Sequence, residues 1–194
     1  MESEEKTRWD TKYRESPHSW TEPDDFLKRA NEEFLSDVSP GCALDLAGGA
    51  GRNSSFLVER GWRVRLLDIS DVGLELAKGK MTTPSHFPGK LETERIDLNT
   101  VTNLGRTQFD LIMVFYFLRR ELFPAIAAAL KPGGWLIYRT YTIDRMKVPG
   151  GPDDPRYLLQ ANELLRAFPD LRVMHYHETI TGKAAAELVA RKSQ

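Results

Sequence analysis

The 194-residue sequence predicts a doubly wound α/β domain with a mostly parallel sheet, and three observations carry that reading. Short apolar runs alternate with segments of helical spacing from residue 42 onward, as strands and crossover helices do. The first of these runs, Cys42–Leu46, enters a glycine cluster that is followed by a helical pattern. The chain ends on two strand-like runs in succession, which suggests an antiparallel hairpin closing one edge.

Taken in order, residues 1–22 are polar with scattered aromatics (Trp9, Tyr13, Trp20) and read as an arm ahead of a single domain over 23–194. Pro23 opens a helix to about residue 38, and Pro40-Gly41 ends it. Strand 42–46 leads to helix 52–60, which Gly61 closes. Strand 63–67 is followed by a helix capped by Ser70 or Asp71 and running to about residue 80. A loop over 81–90 precedes a strand at 91–96. The run 108–114 is almost continuously apolar, as expected of a strand covered on both faces. Helix 122–130 stops at Lys131-Pro132-Gly133-Gly134, before a strand at 135–138. Residues 141–156, rich in Pro, Gly and Asp, read as a functional loop. Helical spacing returns over 157–168, and strands at 171–176 and 184–190 flank a turn at Thr181-Gly182-Lys183.

Composition narrows the function. The chain is 41% hydrophobic and 28% charged, which is ordinary for a globular protein. Its 27 Lys and Arg nearly balance 28 Asp and Glu, for a formal net charge of -1, so a nucleic-acid partner is not expected. The single cysteine, Cys42, excludes an internal disulfide or a cysteine zinc cluster and reads as a small core residue. No apolar run approaches the roughly 18 residues that cross a bilayer. The polar opening Met1-Glu2-Ser3-Glu4-Glu5-Lys6 lacks secretory character, so the expectation is a cytoplasmic protein without a membrane partner.

The chemistry lies in Leu44-Asp45-Leu46-Ala47-Gly48-Gly49-Ala50-Gly51-Arg52-Asn53. A strand, a glycine turn and a helix form a ligand crevice in doubly wound folds. A triphosphate P-loop would need Gly-Lys-Ser/Thr where Gly51-Arg52-Asn53 stands, and the third glycine of a dinucleotide fingerprint falls on Ser54. Asp45 would repel a pyrophosphate but attract an ammonium or a sulfonium. That charge logic selects S-adenosylmethionine. Asp68 ends the second strand about 20 residues past the turn, where a carboxylate accepts ribose hydroxyls. Asp97 follows the third strand and is suited to an adenine amino group; Ile69 and Leu98 flank these two acids.

These features resemble the class I S-adenosylmethionine-dependent methyltransferases, and among them the small tellurite-resistance-type group. The matching residues are Trp9-Asp10-x-x-Tyr13, Ala43-Leu44-Asp45-Leu46-Ala47-x-Gly49-x-Gly51-Arg52-Asn53, and Gly61-Trp62-x-Val64 through Asp68-Ile69-Ser70. Asp97-Leu98-Asn99, Phe109-Asp110-Leu111-Ile112 and Leu130-Lys131-Pro132-Gly133-Gly134 complete the set. The resemblance implies a Rossmann-like seven-stranded sheet with an antiparallel last strand, and S-adenosylhomocysteine as product. It implies a lid role for Tyr13. Ala47 replaces the group's first turn glycine, which calls for an ordinary backbone angle there.

The expected cofactor contacts are therefore Tyr13, Asp45, Ala47, Gly48, Gly49, Gly51, Arg52, Asn53, Asp68, Ile69, Asp97, Leu98 and Phe115. Arg52 opens a helix, where a cation is unfavourable without a partner anion, and the cofactor carboxylate is the expected partner. Phe115, in Phe115-Tyr116-Phe117 after the fourth strand, is expected to face the sulfonium. Arg119, Arg120, Arg139, Arg145, Lys147 and Arg156 together suggest an electropositive mouth for a small anionic or soft nucleophilic acceptor. No catalytic residue and no metal ligand is assigned, because methyl transfer from a sulfonium needs alignment and dryness above all. A non-catalytic cofactor-binding module serving a partner protein is the alternative, and no oligomeric state is implied.

Overall fold

A computed structural model describes residues 3–17, 21–81, 88–148 and 154–194. The parts of the expected loops at 82–87 and 149–153, and Trp20, lie outside the described residues. Seven strands form one sheet in the order β3-β2-β1-β4-β5-β7-β6, the expected architecture. They are β1 (Cys42–Leu46), β2 (Arg63–Asp68), β3 (Lys90–Arg95), β4 (Phe109–Phe115), β5 (Leu130–Tyr141), β6 (Leu171–Glu178) and β7 (Ala185–Lys192). The chain divides into two compact units, Met1–Thr100 and Val101–Gln194.

In the first unit, β2 pairs in parallel with both neighbours, from Cys42↔Arg63 to Leu46↔Leu67 on one side and from Arg63↔Lys90 to Asp68↔Arg95 on the other. The helices are α1 (Glu4–Glu15), α2 (Asp25–Ala30), α3 (Arg52–Val58) and α4 (Asp71–Lys80). The polar arm is thus helical over α1, which Ser3 caps by accepting from the Lys6 N–H. Its polar composition concealed this, because a helix that buries only one narrow stripe shows little periodicity. The helix expected from Pro23 starts instead after Asp24, whose side chain accepts from the Phe26 N–H at 3.0 Å, and continues as a π-helix over Asn31–Leu35. Ser70 caps α4 as expected. Leu66, Leu74 and Ala77 pack together beneath α4, with Leu91 against them. Cys42 is half-buried rather than core, with the Arg63 guanidinium 3.2 Å from its sulfur.

In the second unit, Leu111, Ile112, Met113 and Val114 are fully buried, in keeping with a strand covered on both faces. β4 and β5 are parallel, while β7 runs antiparallel to both β5 and β6, so the closing hairpin is present. β5 is longer than the expected 135–138, because the Pro132-Gly133-Gly134 stretch that stops α5 (Phe123–Ala129) already runs along β4 with a register shift. The helix expected over 157–168 shrinks to α6 (Glu163–Arg166). Leu158 and Leu159 are buried there, Leu159 bridges Thr142, and Asn162 turns left-handed at φ 58°. Apolar residues at helical spacing were met by an irregular segment tied to the end of β5, so tertiary contact outweighed the pattern.

Candidate cofactor site

The end of β1 and the turn at 47–51 form the centre of the first unit. Gly51 donates to the Gly48 carbonyl at 2.9 Å and then leads into α3 from a left-handed φ of 70°. Gly49 is left-handed at 55°, and a Cβ there would overlap the Tyr13 hydroxyl. Ala47 is left-handed too, at φ 56°, which corrects the expectation of an ordinary angle. The turn keeps the geometry that glycines adopt freely, and an alanine bears the steric penalty at its first position.

Two buried carboxylates sit beneath this turn. Asp45 accepts from Ser54 Oγ at 2.6 Å and is 1% exposed. Burial pushes its carboxyl up to about 7; the Ser54 hydrogen bond opposes that shift and the nearby Asp68 adds to it. Asp45 therefore shares its proton near neutrality, rather than standing as the full anion that charge logic supposed. Asp68 accepts from the Gly49 N–H on Oδ2 and from the Ser70 N–H on Oδ1, both at 2.8 Å. Burial raises its carboxyl, against those backbone donors. The Ile69 N–H donates to it as well, and of about four acceptor sites on a carboxylate some capacity remains while backbone donors orient Asp68.

Asp97 follows β3 half-buried, and its Oδ1 accepts from the Asn99 N–H at 2.9 Å. Leu98 beside it is buried, and Ile69 is half-buried. Because β1, β2 and β3 are parallel neighbours, Asp45, Asp68 and Asp97 come at the same, C-terminal, end of the strands.

Tyr13 is buried from α1, its ring set between Gly49 and Gly73, where a Cβ on Gly73 would lie 3.0 Å from Cε2. Burial and the neighbouring Asp68 push its phenol upward. α1 is held in place by groups the sequence reading left unassigned. Asp10 accepts from Ser70 Oγ at 2.6 Å and from the Val72 N–H at 3.2 Å, and Lys6 pairs with Asp10 at 2.7 Å and Asp71 at 3.0 Å. Burial pushes the Asp10 carboxyl up, but these hydrogen bonds outweigh it and hold it below its ordinary range. The i,i+4 spacing of Lys6 and Asp10 was the available signal. Lys80 was missed as well; its Nζ donates to the Ala50 carbonyl at 2.8 Å, and burial brings its ammonium down to about 8.

Two expected contacts have another occupation. Asn53 Oδ1 accepts from the Asp24 N–H at 2.9 Å, fastening the start of α2 to α3. Arg52 has the partner anion its position demanded, but that anion is Asp24, 3.5 Å from the guanidinium. In the second unit, Phe115 at the end of β4 is buried, and the half-buried Tyr116 beside it is the more accessible ring. The electropositive mouth is largely neutralised. Arg120 grips Glu163 at 2.5 and 2.8 Å and donates to the carbonyls of Arg156 and Leu158. Arg139 pairs with Glu187, Lys147 with Asp144, Arg156 with Asp154, and Arg119 lies 3.7 Å from Glu121.

Residues 43–134 match the family described as a methyltransferase domain, and the sheet order, glycine turn and strand-end acids agree with that match. The segment 43–134 is thus that of a methyltransferase domain, on a fold shared with S-adenosylmethionine-dependent methyltransferases. Its fold is similar to that of TehB from Haemophilus influenzae, with a TM-score of 0.73, 19% identity, and 95% of this chain and 67% of that one covered. An S-adenosylmethionine-dependent methyltransferase from Mesorhizobium loti gives a TM-score of 0.67 at 21% identity, over 86% of this chain and 98% of that one. Another from Clostridium acetobutylicum gives 0.70 at 14%, over 97% and 99%. No curated protein matches the chain. The methyltransferase draws on S-adenosylmethionine and yields S-adenosylhomocysteine. Its turn fits that group: glycines at 48, 49 and 51 let the turn pack directly on Asp45, Tyr13 and Ala77, and the acids beneath it suit an ammonium and hydroxyl donors. Among the described residues no helix is long and apolar enough to cross a membrane, and no cluster of metal-ligating side chains occurs.

Proposed function

We propose that this methyltransferase acts on a small-molecule acceptor with an anionic or soft nucleophilic group, in the cytoplasm, as a single domain over 23–194 with residues 1–22 as the arm covering the cofactor. The observation that carries the cofactor assignment is the row Asp45, Asp68 and Asp97 at the ends of adjacent parallel strands beside a glycine cradle. When bound, S-adenosylmethionine supplies an electrophilic methyl carbon on a sulfonium. Asp45 balances the ammonium, Asp68 accepts from the ribose hydroxyls, and Asp97 with Leu98 and Ile69 frames the adenine. Gly48, Gly49 and Gly51, with Ala47, let the backbone approach closely, and Tyr13 excludes water. Arg52 and Asn53 act by fixing α3 against Asp24. The near-balanced charge favours a small acceptor over nucleic acid.

Calorimetry tests this reading. S-adenosylhomocysteine is expected to bind in the micromolar range and NAD not at all. Asp68→Ala should weaken S-adenosylhomocysteine by about 1–3 kcal/mol, the loss of charge-assisted hydrogen bonds. An unchanged dissociation constant would remove the ribose assignment.

A further inference from the structure

The second unit carries a cluster of side chains that the cofactor assignment leaves unused. Tyr116, directly after β4, is left-handed at φ 57°. A bulky side chain in that region is strained, and such strain collects at functional positions. The Tyr116 N–H donates to the Arg139 carbonyl at 2.8 Å, which holds the strained residue at the strand end. Its ring packs on Tyr141, the last residue of β5, at 4.9 Å between centroids.

Two cations flank this pair of rings. Lys183, in the turn before β7, donates to the Tyr116 hydroxyl at 3.4 Å. Arg145 lies over the Tyr141 ring at 5.4 Å. The surrounding backbone fixes both: Thr142 donates to the Ala184 carbonyl at 2.9 Å, and Arg145 donates to the Thr142 carbonyl at 2.9 Å. Arg145 Nε is sealed from solvent and has no hydrogen-bond partner among the described residues. Its guanidinium also makes no ion pair there, whereas Arg139, Lys147 and Arg156 nearby each face a carboxylate. A sealed donor on a charged group is expensive to leave unmet, and it marks a place for an acceptor atom.

We propose that Arg145, with Lys183 and the hydroxyls of Tyr116 and Tyr141, binds a carboxylate on the methyl acceptor. This rests on the methyl-transfer reading above and names the substrate class. A guanidinium fork matches a carboxylate with two parallel hydrogen bonds, and Lys183 adds a second positive charge. The phenol hydroxyls add neutral donors, and the ring faces exclude water around the ion pair. General ligand placement in doubly wound sheets, beyond the carboxyl ends of the strands, agrees with residues that follow β4 and β5.

The test uses 3-mercaptopropionate and its neutral amide as paired probes, titrated into the full-length protein with and without S-adenosylhomocysteine. The carboxylate is expected to bind about tenfold more tightly than the amide. Arg145→Met should bring the two probes within about twofold of each other, and Arg145→Lys should restore part of the preference, charge without the fork. The S-adenosylhomocysteine affinity and Tm should stay at wild-type values in both variants. Equal binding of the two probes, or a preference that survives Arg145→Met, would overturn the proposal. So would inorganic phosphate binding more tightly than 3-mercaptopropionate. Failure of the protein to bind S-adenosylhomocysteine strikes the methyl-transfer reading instead, and the probe pair on the cofactor-free protein still decides the carboxylate site.

Discussion

Around the glycine turn of the first unit the buried ionisable groups are chiefly acids, Asp10, Asp45 and Asp68, each satisfied by a hydroxyl or backbone N–H. After β4 and β5 in the second unit, Arg139, Arg145 and Lys183 lie against tyrosine rings, and of these Arg139 is buried, paired with the buried acid Glu187. The first region is hydrogen-bonded in advance, as suits a group of fixed shape and positive charge. The second holds long side chains on aromatic faces, and Arg145 Nε there meets no hydrogen-bond partner among the described residues. On the proposed reading, the first region takes the methyl donor and the second a carboxylate of the acceptor.

The largest expected effect breaks the first region outright. Gly49→Ala places a methyl group on the Tyr13 hydroxyl and a Cβ at a φ of 55°. Overpacking and backbone strain together come to about 2–4 kcal/mol. S-adenosylhomocysteine binding should fall by about a hundredfold or more in calorimetry. A variant that binds normally would mean that Tyr13 moves freely and that the cradle is not built in advance.

Arg120→Glu examines the second region. As a member of an electropositive mouth, Arg120 would govern the Michaelis constant of an anionic acceptor. In the structure it grips Glu163 and two carbonyls, so reversal opposes two acids and strips those carbonyls of their donor. Chemical denaturation should show a loss of about 2–3 kcal/mol, with cofactor affinity nearly unchanged. Full stability with an altered Michaelis constant would return Arg120 to the acceptor.

Asp45 sharpens the comparison through pH. Its folded-state carboxyl lies near 7, above the unfolded value of about 3.9. Between those values the native state holds a proton that the unfolded chain has released. Stability therefore falls as pH rises through that window and levels off above it. Asp45→Asn should flatten the fall, most visibly in denaturant midpoints compared at pH 5 and pH 8. Binding of a ligand ammonium should favour the ionised carboxyl and release a proton, seen as a calorimetric heat that depends on the buffer. A wild-type midpoint that rises across this window would contradict the assignment.

The smallest effect is a gain. Ala47→Gly removes a Cβ from a left-handed position, offset in part by added freedom of the unfolded chain, for about 0.5–1 kcal/mol. In a protein of this size that is roughly 1–4 °C in Tm. A lower Tm would show that the Ala47 methyl packs usefully despite its angle.

Much of this was legible in local pattern. The glycine cluster, the Ser70 cap, the continuous apolar run of β4 and the acids at 45, 68 and 97 depend on neighbours a few residues away. Short-range chemistry therefore announced them. The parallel order of β1, β2 and β3 then aligned the three acids with no further information.

The partners of individual side chains were not legible, because they join positions far apart in the chain. Asp24 meets Arg52 and Asn53, Asp10 meets Ser70, and Arg120 meets Glu163. A charge on paper is a candidate ligand until its counterion is known, and the tertiary structure alone supplies the counterion. Backbone conformation was decided in the same way. Alanine at position 47 predicts an ordinary angle, yet the turn that carries β1 into α3 imposes φ 56°, since the strand pairing and helix packing on either side outweigh one residue's preference.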